Sequence, residues 1–191
     1  MERISEPAVV TAVFSTGTRD RLLTFLTPNQ GGVRLFARRL PLRGAARRFI
    51  EPLQGGELVF DRPREGGQGR LHSFVPQRVW PGIRSNFERT CQAIAFLELV
   101  TLSITEGDPQ PELFMQLVGV LNRLEDEKRP GLARIIATLR LLVTGGFAPR
   151  LESCVGCRTV VSPGTGVLFS PEGGGGVCRA CLPLRQEATL P

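Results

Sequence analysis

Four cysteines near the C-terminal end constrain the fold more than any other feature of this sequence. They form two Cys-x2-Cys pairs separated by twenty residues: Cys154 with Cys157, and Cys178 with Cys181. This spacing is typical of zinc sites, because two intervening residues let a tight turn direct both sulfurs of a pair at one ion. Two disulfides or a redox-active pair are the alternatives. We interpret the four cysteines as the ligands of one zinc ion.

Four thiolate ligands leave no coordination position for an activated water, so we predict a structural Zn²⁺ rather than a catalytic one. The region between the two pairs includes the glycine run 173–176 and few apolar residues. Such a segment has too small a core to become ordered without metal. The fifth cysteine, Cys91, makes the count odd, which argues against a disulfide framework, and we expect it to pack in the core.

The formal net charge of +6 is unevenly distributed along the chain. Residues 1–80 contain thirteen arginines and seven acidic residues, whereas residues 81–191 contain eleven basic and eleven acidic residues. Five of the arginines fall within eleven residues that include no acid: Arg38, Arg39, Arg43, Arg47 and Arg48. Guanidinium groups pair well with phosphate, so this segment predicts an electropositive surface for a polyanion. A solvated run of charge without a partner is the alternative.

Five short runs rich in β-branched, aromatic and leucine residues predict strands in the first 80 residues. They span 8–14, 21–27, 33–38, 57–62 and 70–79, and residues that favour turns separate them. Five strands in so short a segment suit a small barrel. The OB-fold is the common five-stranded barrel that binds single-stranded nucleic acid, and an SH3-like barrel is the alternative that the pattern leaves open.

The third predicted strand has two chemically different faces. Its two-residue period places Val33, Leu35 and Ala37 on an apolar face. The opposite face alternates cation, ring and cation: Arg34, Phe36 and Arg38. Arginines neutralise phosphates, and an aromatic ring stacks on a base with a gain of roughly 1–3 kcal/mol. We therefore predict a platform for single strands here, with packing of Phe36 beneath a loop as the alternative.

Helical patterns replace the strand patterns after residue 80, and they predict a compact bundle of three helices. Ser85 and Glu88 have the spacing of a capping box before a largely buried helix from residue 91 to residue 104. Two further helices are predicted from apolar residues at helical intervals, which we expect to form core. These residues are Phe114, Leu117, Leu121 and Leu124 in one helix and Leu132, Ile135, Ile136, Leu139 and Val143 in the other.

The sequence contains few of the side chains and motifs that acid–base or nucleophilic catalysis requires. Its only histidine, His72, lies on a probable strand, where a surface role is the more common one. Nucleophile-elbow, phosphate-loop and zinc-protease motifs do not occur in it. We expect a binding protein rather than a nuclease or ligase. On these residues alone, an RNA-binding or regulatory zinc-ribbon adaptor stays open beside a DNA-binding function.

Three segments in combination resemble the bacterial RecO family of recombination mediators. They are residues 20–28 (DRLLTFLTP) with the glycine turn that follows, residues 146–157 (GFAPRLESCVGC), and residues 169–181 (FSPEGGGGVCRAC). The resemblance covers nearly the whole chain. RecO proteins usually continue with further helical sequence beyond this point, whereas this sequence ends ten residues after Cys181.

The resemblance implies an α+β architecture: an N-terminal five-stranded OB-fold barrel (1–80) and an α-helical domain (81–191) that carries a four-cysteine zinc finger at about 147–183. It also implies binding of single- and double-stranded DNA, annealing of complementary strands, and no bond-breaking activity. Expected partners are RecR, the acidic C-terminal tail of single-stranded-DNA-binding protein and, indirectly, the RecA filament.

Carried over by position, the barrel arginines would contact DNA: Arg34, Arg38, Arg39, Arg43, Arg47 and Arg48. Phe36 joins them as the stacking residue predicted from the strand pattern. The four paired cysteines would hold Zn²⁺. The first residues lack the pattern of a signal peptide, and no uninterrupted apolar segment approaches the length of a membrane span. We therefore expect a cytoplasmic, nucleoid-associated protein that does not enter membranes.

Overall fold

The computed structural model describes residues 3–15, 20–37, 50–61, 69–161 and 168–182. All five predicted strands are present in its N-terminal part, and the first begins at Arg3 rather than at residue 8. The strands are β1 (Arg3–Ser15), β2 (Arg21–Thr27), β3 (Gly31–Ala37), β4 (Gly55–Asp61) and β5 (Gly69–Arg78). The fold is α+β, because four helices follow these strands.

The five strands pair in the order β1-β2-β3-β5-β4 and close into a barrel. The second half of β1 pairs with β2 and its first half pairs with β4, so β1 completes the ring. One contact in the ring is parallel: β3 meets β5 with Leu35 opposite Gly69 and Phe36 opposite Arg70. Closure between β3 and β5 rests on these two residue pairs, and the rest of β5 pairs with β4.

Alternate residues of the strands fill the barrel interior. Val33, Leu35 and Ala37 of β3 are buried, whereas Arg34 is exposed and Phe36 is half-buried. The predicted assignment of the two faces is therefore confirmed for these five residues, and Arg38 lies outside the described residues. The rings of Phe25 and Phe74 pack with centroids 5.3 Å apart at an interplanar angle of 55°. The buried core consists of Ala8, Val10, Leu23, Phe25, Val33, Leu35, Ala37, Ile50, Leu58 and Phe60.

The helices are α1 (Pro81–Arg84), α2 (Phe87–Ser103), α3 (Pro111–Leu124) and α4 (Pro130–Thr144). The predicted capping box at Ser85 is wrong. The N-cap of α2 is Asn86, whose side-chain oxygen accepts a hydrogen bond of 3.0 Å from the backbone N–H of Arg89. Ser85 instead ends the short helix α1, and its hydroxyl donates to the carbonyl of Gly82 at 3.3 Å.

Helix α2 is less buried than predicted, because it buries a single face made of Ala93, Phe96, Leu97 and Val100. Cys91 is exposed, so its predicted core role is wrong. At 100° per residue, position 91 points about 200° away from position 93, which places it opposite the buried face. Because apolar residues occur on several sides of α2, the sequence did not indicate which side faces the core.

Helices α3 and α4 differ in how well the sequence predicted their core faces. In α3, Leu117, Leu121 and Leu124 are fully buried, as predicted. In α4 the buried positions are Pro130, Ala133 and Ala137. Two residues of the predicted α4 core stripe, Leu132 and Ile135, are each 50% exposed, and Val143 is also exposed. For α4, the larger apolar residues do not mark the core face.

The loop after α2 is hydrogen-bonded to the β2–β3 turn. The backbone N–H of Gly32 donates to the carbonyl of Thr105 at 2.9 Å, and that of Gly107 donates to the carbonyl of Gln30 at 3.1 Å. Gly31 has a positive φ of 58°, and a Cβ there would overlap backbone oxygens of the loop. Glycine is thus required where barrel and helices meet at this turn.

Trp80 occupies the connection between β5 and α1. Its backbone is left-handed, with φ 42° and ψ 69°, and its side chain is buried. The indole N–H donates to Asn122 Oδ1 at 2.9 Å, and Arg78 donates to the same oxygen at 3.1 Å. Asn122 in α3 therefore fixes the point at which the chain leaves the barrel.

The chain forms two compact units, Met1–Thr138 and Leu139–Pro191. The second unit contains two short antiparallel strands, β6 (Leu168–Ser170) and β7 (Gly175–Val177). The change from strands to helices occurs between Arg78 and Pro81. A domain boundary at residue 80 stays a prediction.

None of the helices in the described ranges is long and apolar enough to span a bilayer.

Candidate metal centre and nucleic-acid interface

The four paired cysteines converge in the second unit. The Sγ atoms of Cys154, Cys157, Cys178 and Cys181 all lie within 4.8 Å of one another. The sulfurs of Cys157 and Cys178 are 3.7 Å apart. A tetrahedron of thiolates around zinc, with Zn–S of about 2.3 Å, has S–S edges of about 3.8 Å. The cluster therefore fits a tetrahedral ion, and among the described residues it is the group of side chains that could hold a metal.

Two tight turns bring the sulfurs together. The N–H of Arg158 donates to the carbonyl of Cys154 at 2.9 Å, and the N–H of Cys181 donates to the carbonyl of Cys178 at 3.1 Å. Gly156 lies inside the first turn, where an added Cβ would be 3.2 Å from the Cys181 sulfur. A larger residue at position 156 would therefore crowd the cluster.

Hydrogen bonds and neighbouring thiols set the protonation of the cluster. The N–H groups of Cys178 and Gly156 each donate to Cys154 Sγ at 3.4 Å, and such bonds lower the pKa of the Cys154 thiol to about 6. Beside Cys157 and Cys178, the pKa of the Cys181 thiol is raised to about 12. A cation at the centre of the cluster would favour the thiolate form of all four cysteines.

On the barrel, the structure describes two of the seven residues predicted to contact DNA. Arg34 and Phe36 share the outer face of β3. Arg34 Nε is 2.7 Å from Glu106 Oε1, and the two side chains are 61% and 55% exposed. The other five predicted residues lie outside the described residues: Arg38, Arg39, Arg43, Arg47 and Arg48.

Phe36 belongs to a row of cross-strand neighbours on the outer surface. Phe14 pairs with Leu22, Leu22 pairs with Phe36, and Phe36 pairs with Arg70. Phe14 is 58% exposed, Leu22 and Phe36 are half-buried, and Arg70 is exposed. Paired residues in adjacent strands project to the same face. The barrel therefore presents two aromatic rings and a guanidinium along one row.

The row continues into a charged cluster at Asp61, which is opposite both Arg70 and Arg3. Asp61 Oδ2 is 2.8 Å from His72 Nε2, and Asp61 Oδ1 is 3.7 Å from Arg3 Nε. The hydrogen bond from His72 lowers the pKa of the Asp61 carboxyl below its ordinary value of 3.8. His72 is thus hydrogen-bonded to a largely buried carboxylate.

Sequence reasoning missed Phe14, Arg70 and Glu106 as neighbours of the predicted platform. The period-two pattern placed Phe14 and Arg70 on strands, but only the strand order puts both in the row of Phe36. Glu106 comes from the distant loop after α2. No local signal in the sequence pairs it with Arg34.

Comparison with known proteins identifies the family. A family model described as "Recombination protein O C terminal" matches residues 84–190. The protein named "DNA repair protein RecO" from Pelobacter propionicus is 32% identical over 180 residues, covering 91% of this chain and 70% of that relative. The protein of the same name from Myxococcus xanthus is 31% identical over 196 residues, covering 100% of this chain and 78% of that relative. This chain therefore belongs to the RecO family of DNA repair proteins.

Proposed function

We propose that this protein binds DNA on the outer face of its barrel, anneals complementary single strands and helps load a recombinase during DNA repair. Membership of the RecO family supports the role in repair. The closed five-stranded barrel supports an OB-fold domain at residues 1–80, and OB-folds bind single strands on such a surface. The protein acts by binding, without breaking bonds.

The arginine content of three segments that follow neighbouring strand ends carries this proposal. Ser15 pairs with Arg21, Arg21 with Ala37, and Asp61 with Arg70, so these strand ends are neighbours. The segments that follow Ser15, Ala37 and Asp61 in the sequence are 16–19, 38–49 and 62–68, which lie outside the described residues. Together they contain eight arginines and one acidic residue. Such a concentration of arginine attracts a polyanion.

The row of Phe14, Leu22, Phe36 and Arg70 supplies a surface for bases. Aromatic side chains accept any base, because every base has a π-face, and they contribute about 1–3 kcal/mol per stacked base. Neighbouring strands are about 4.8 Å apart, which separates the Phe14 and Phe36 positions by roughly 10 Å. We assign stacking of bases to Phe14 and Phe36.

Annealing follows from the same chemistry. Two strands repel each other through their phosphates, and arginines that neutralise both strands remove that barrier. Contacts to phosphates carry no sequence information, so the base edges stay free to find their complements. If Arg34, Arg38, Arg39, Arg43, Arg47 and Arg48 all contact phosphates, log affinity falls against log salt with a slope near 4, at about 0.7 per contact.

The direct test measures binding of a labelled single-stranded oligonucleotide by fluorescence anisotropy at several salt concentrations. Phe14→Ala should weaken binding by about 5- to 150-fold, the equivalent of one stacked base. Phe87→Ala is the matched control, because Phe87 is 86% exposed, lies on α2 and is not a member of the row. Equal affinities of the two variants, or a salt slope near zero, would refute the proposed surface.

We also propose that the four paired cysteines hold one structural Zn²⁺. Zinc is bound by thiolates in closed tetrahedral sites, and the sulfur separations support that geometry. The ion, when bound, would neutralise the thiolates and hold the two turns together. Metal analysis of purified protein should give one zinc per chain, and none after Cys154→Ser with Cys178→Ser.

Family membership supports partners for this activity: RecR, the acidic tail of single-stranded-DNA-binding protein and, indirectly, the RecA filament. Annealing of complementary oligonucleotides, bare and coated with single-stranded-DNA-binding protein, tests the mediator role. Acceleration on coated strands is the expected result. Acceleration on bare strands alone would contradict the proposed partner, and a preference for RNA in competition would contradict the proposed substrate.

A further inference from the structure

Arg34 already has an anionic partner in the absence of DNA. Its Nε atom is 2.7 Å from Glu106 Oε1, and both side chains are more than half exposed. An arginine engaged by a carboxylate offers fewer donors to a phosphate, because both anions use the same planar guanidinium. Glu106 therefore occupies part of the position in which a phosphate would meet Arg34.

The carboxylate is held in place by the backbone around it. Thr105 accepts a hydrogen bond from Gly32 and Gly107 donates one to Gln30, so Glu106 lies between two anchored residues. The same loop forms bridges from Glu106 to Gly31 and Gly32, three and two residues before Arg34. Little ordering is needed to form the ion pair again after it opens.

We infer that Glu106 competes with DNA phosphate for Arg34 and so speeds the release of a bound strand. This inference rests on the proposed DNA-binding function. A protein that anneals strands must release its product, and a positioned carboxylate can take over the guanidinium as a phosphate leaves. The pair is exposed, so its effect is modest: exposed ion pairs correspond to about 1.5- to 5-fold in an equilibrium constant.

Asp108→Asn provides a matched control for Glu106→Gln. Asp108 is exposed in the same loop, loses the same charge on substitution, and makes no ion pair with a described residue. Both variants should raise the association rate alike, because distant charges act on diffusional encounter. Only Glu106→Gln should also slow dissociation, by about 1.5- to 5-fold.

The test measures association and dissociation rates of a labelled single-stranded oligonucleotide by stopped flow. It uses the wild-type protein, Glu106→Gln, Asp108→Asn, Arg34→Gln and the double variant Arg34→Gln with Glu106→Gln. We expect slower dissociation for Glu106→Gln, and no such slowing when Arg34 has also been replaced. Arg34→Gln alone should reduce the salt slope by about 0.7.

Three outcomes separate the inference from the function on which it rests. If Glu106→Gln and Asp108→Asn have the same dissociation rate, or if the slowing persists without Arg34, Glu106 is not a competitor. If Arg34→Gln leaves affinity and salt slope unchanged while the protein still binds DNA, Arg34 is not a phosphate contact and the inference fails. If the wild-type protein does not bind the oligonucleotide, the proposed function fails first.

Discussion

Replacing Gly31 by alanine should destabilise the first compact unit by about 2–5 kcal/mol. The backbone of Gly31 has φ 58°, a conformation that costs an alanine about 1–2 kcal/mol. The new Cβ would also overlap the carbonyl oxygen of Asp108 and lie 2.5 Å from that of Thr105. Relief of this overlap requires the loop to move.

Movement of the loop breaks the hydrogen bonds that hold it to the β2–β3 turn. They are the bond from Gly32 to Thr105 at 2.9 Å and the bond from Gly107 to Gln30 at 3.1 Å. Each contributes about 0.5–1.5 kcal/mol. Together with the backbone strain, their loss gives the stated range.

Urea unfolding followed by tryptophan fluorescence measures this effect directly. Trp80 is the only tryptophan, the chain has no tyrosine, and Trp80 is buried in the same compact unit as Gly31. The signal therefore reports the unfolding of that unit.

Two other glycines serve as controls. Gly107 has φ 80° and no atom within 4 Å of an added Cβ, so Gly107→Ala should show the strain alone, about 1–2 kcal/mol. Gly119 lies within α3 in open space, and Gly119→Ala should stabilise by about 0.5–1 kcal/mol. If Gly31→Ala and Gly107→Ala destabilise equally, the predicted overlap with the loop is wrong.

Three further predictions follow from contacts in the two units. Asn122→Ala should cost about 1–3 kcal/mol in the same urea titration, because it leaves the buried indole N–H of Trp80 without its acceptor; an unchanged midpoint would contradict this. The hydrogen bond from His72 lowers the pKa of Asp61, so this carboxylate contributes stability above pH 3.8 that is lost as pH falls through the lowered value. Melting temperature against pH should therefore fall less steeply below pH 3.8 for Asp61→Asn than for the wild type, and parallel curves would refute the contribution. Chelation of metal, or Cys181→Ser, should make residues 139–191 sensitive to trypsin while Trp80 fluorescence stays native; unchanged digestion would argue against a structural ion.

The strands were predictable because their signals are local. Glycine and proline turns delimit the runs, and the two-residue period sets the faces of β3, with Val33 and Leu35 inside and Arg34 outside. The cysteine spacing was equally local, and it brought four sulfurs within 4.8 Å of one another. When a pattern lies within a few residues of sequence, the local backbone geometry alone determines where its side chains point.

The features that could not be predicted depend on contacts between distant segments. Helical periodicity shows that α4 has apolar residues at regular intervals, but small side chains such as Ala133 and Ala137 occupy its buried face. Leu132 and Ile135 are left half exposed. The pairing of Arg34 with Glu106 depends on how the loop after α2 contacts the barrel. The periodicity of the sequence does not predict that contact.

The closure of β1 on β4 has a consequence during synthesis. Residues Arg3 to Val9 pair with β4, which leaves the ribosome much later, so this part of β1 first exists as an unpaired strand edge. Two residues make that edge a poor template for another chain: Pro7 has no N–H to donate, and Glu6 is a charged residue buried in the finished barrel. The strand that closes the barrel thus carries its own protection against aggregation of the nascent chain.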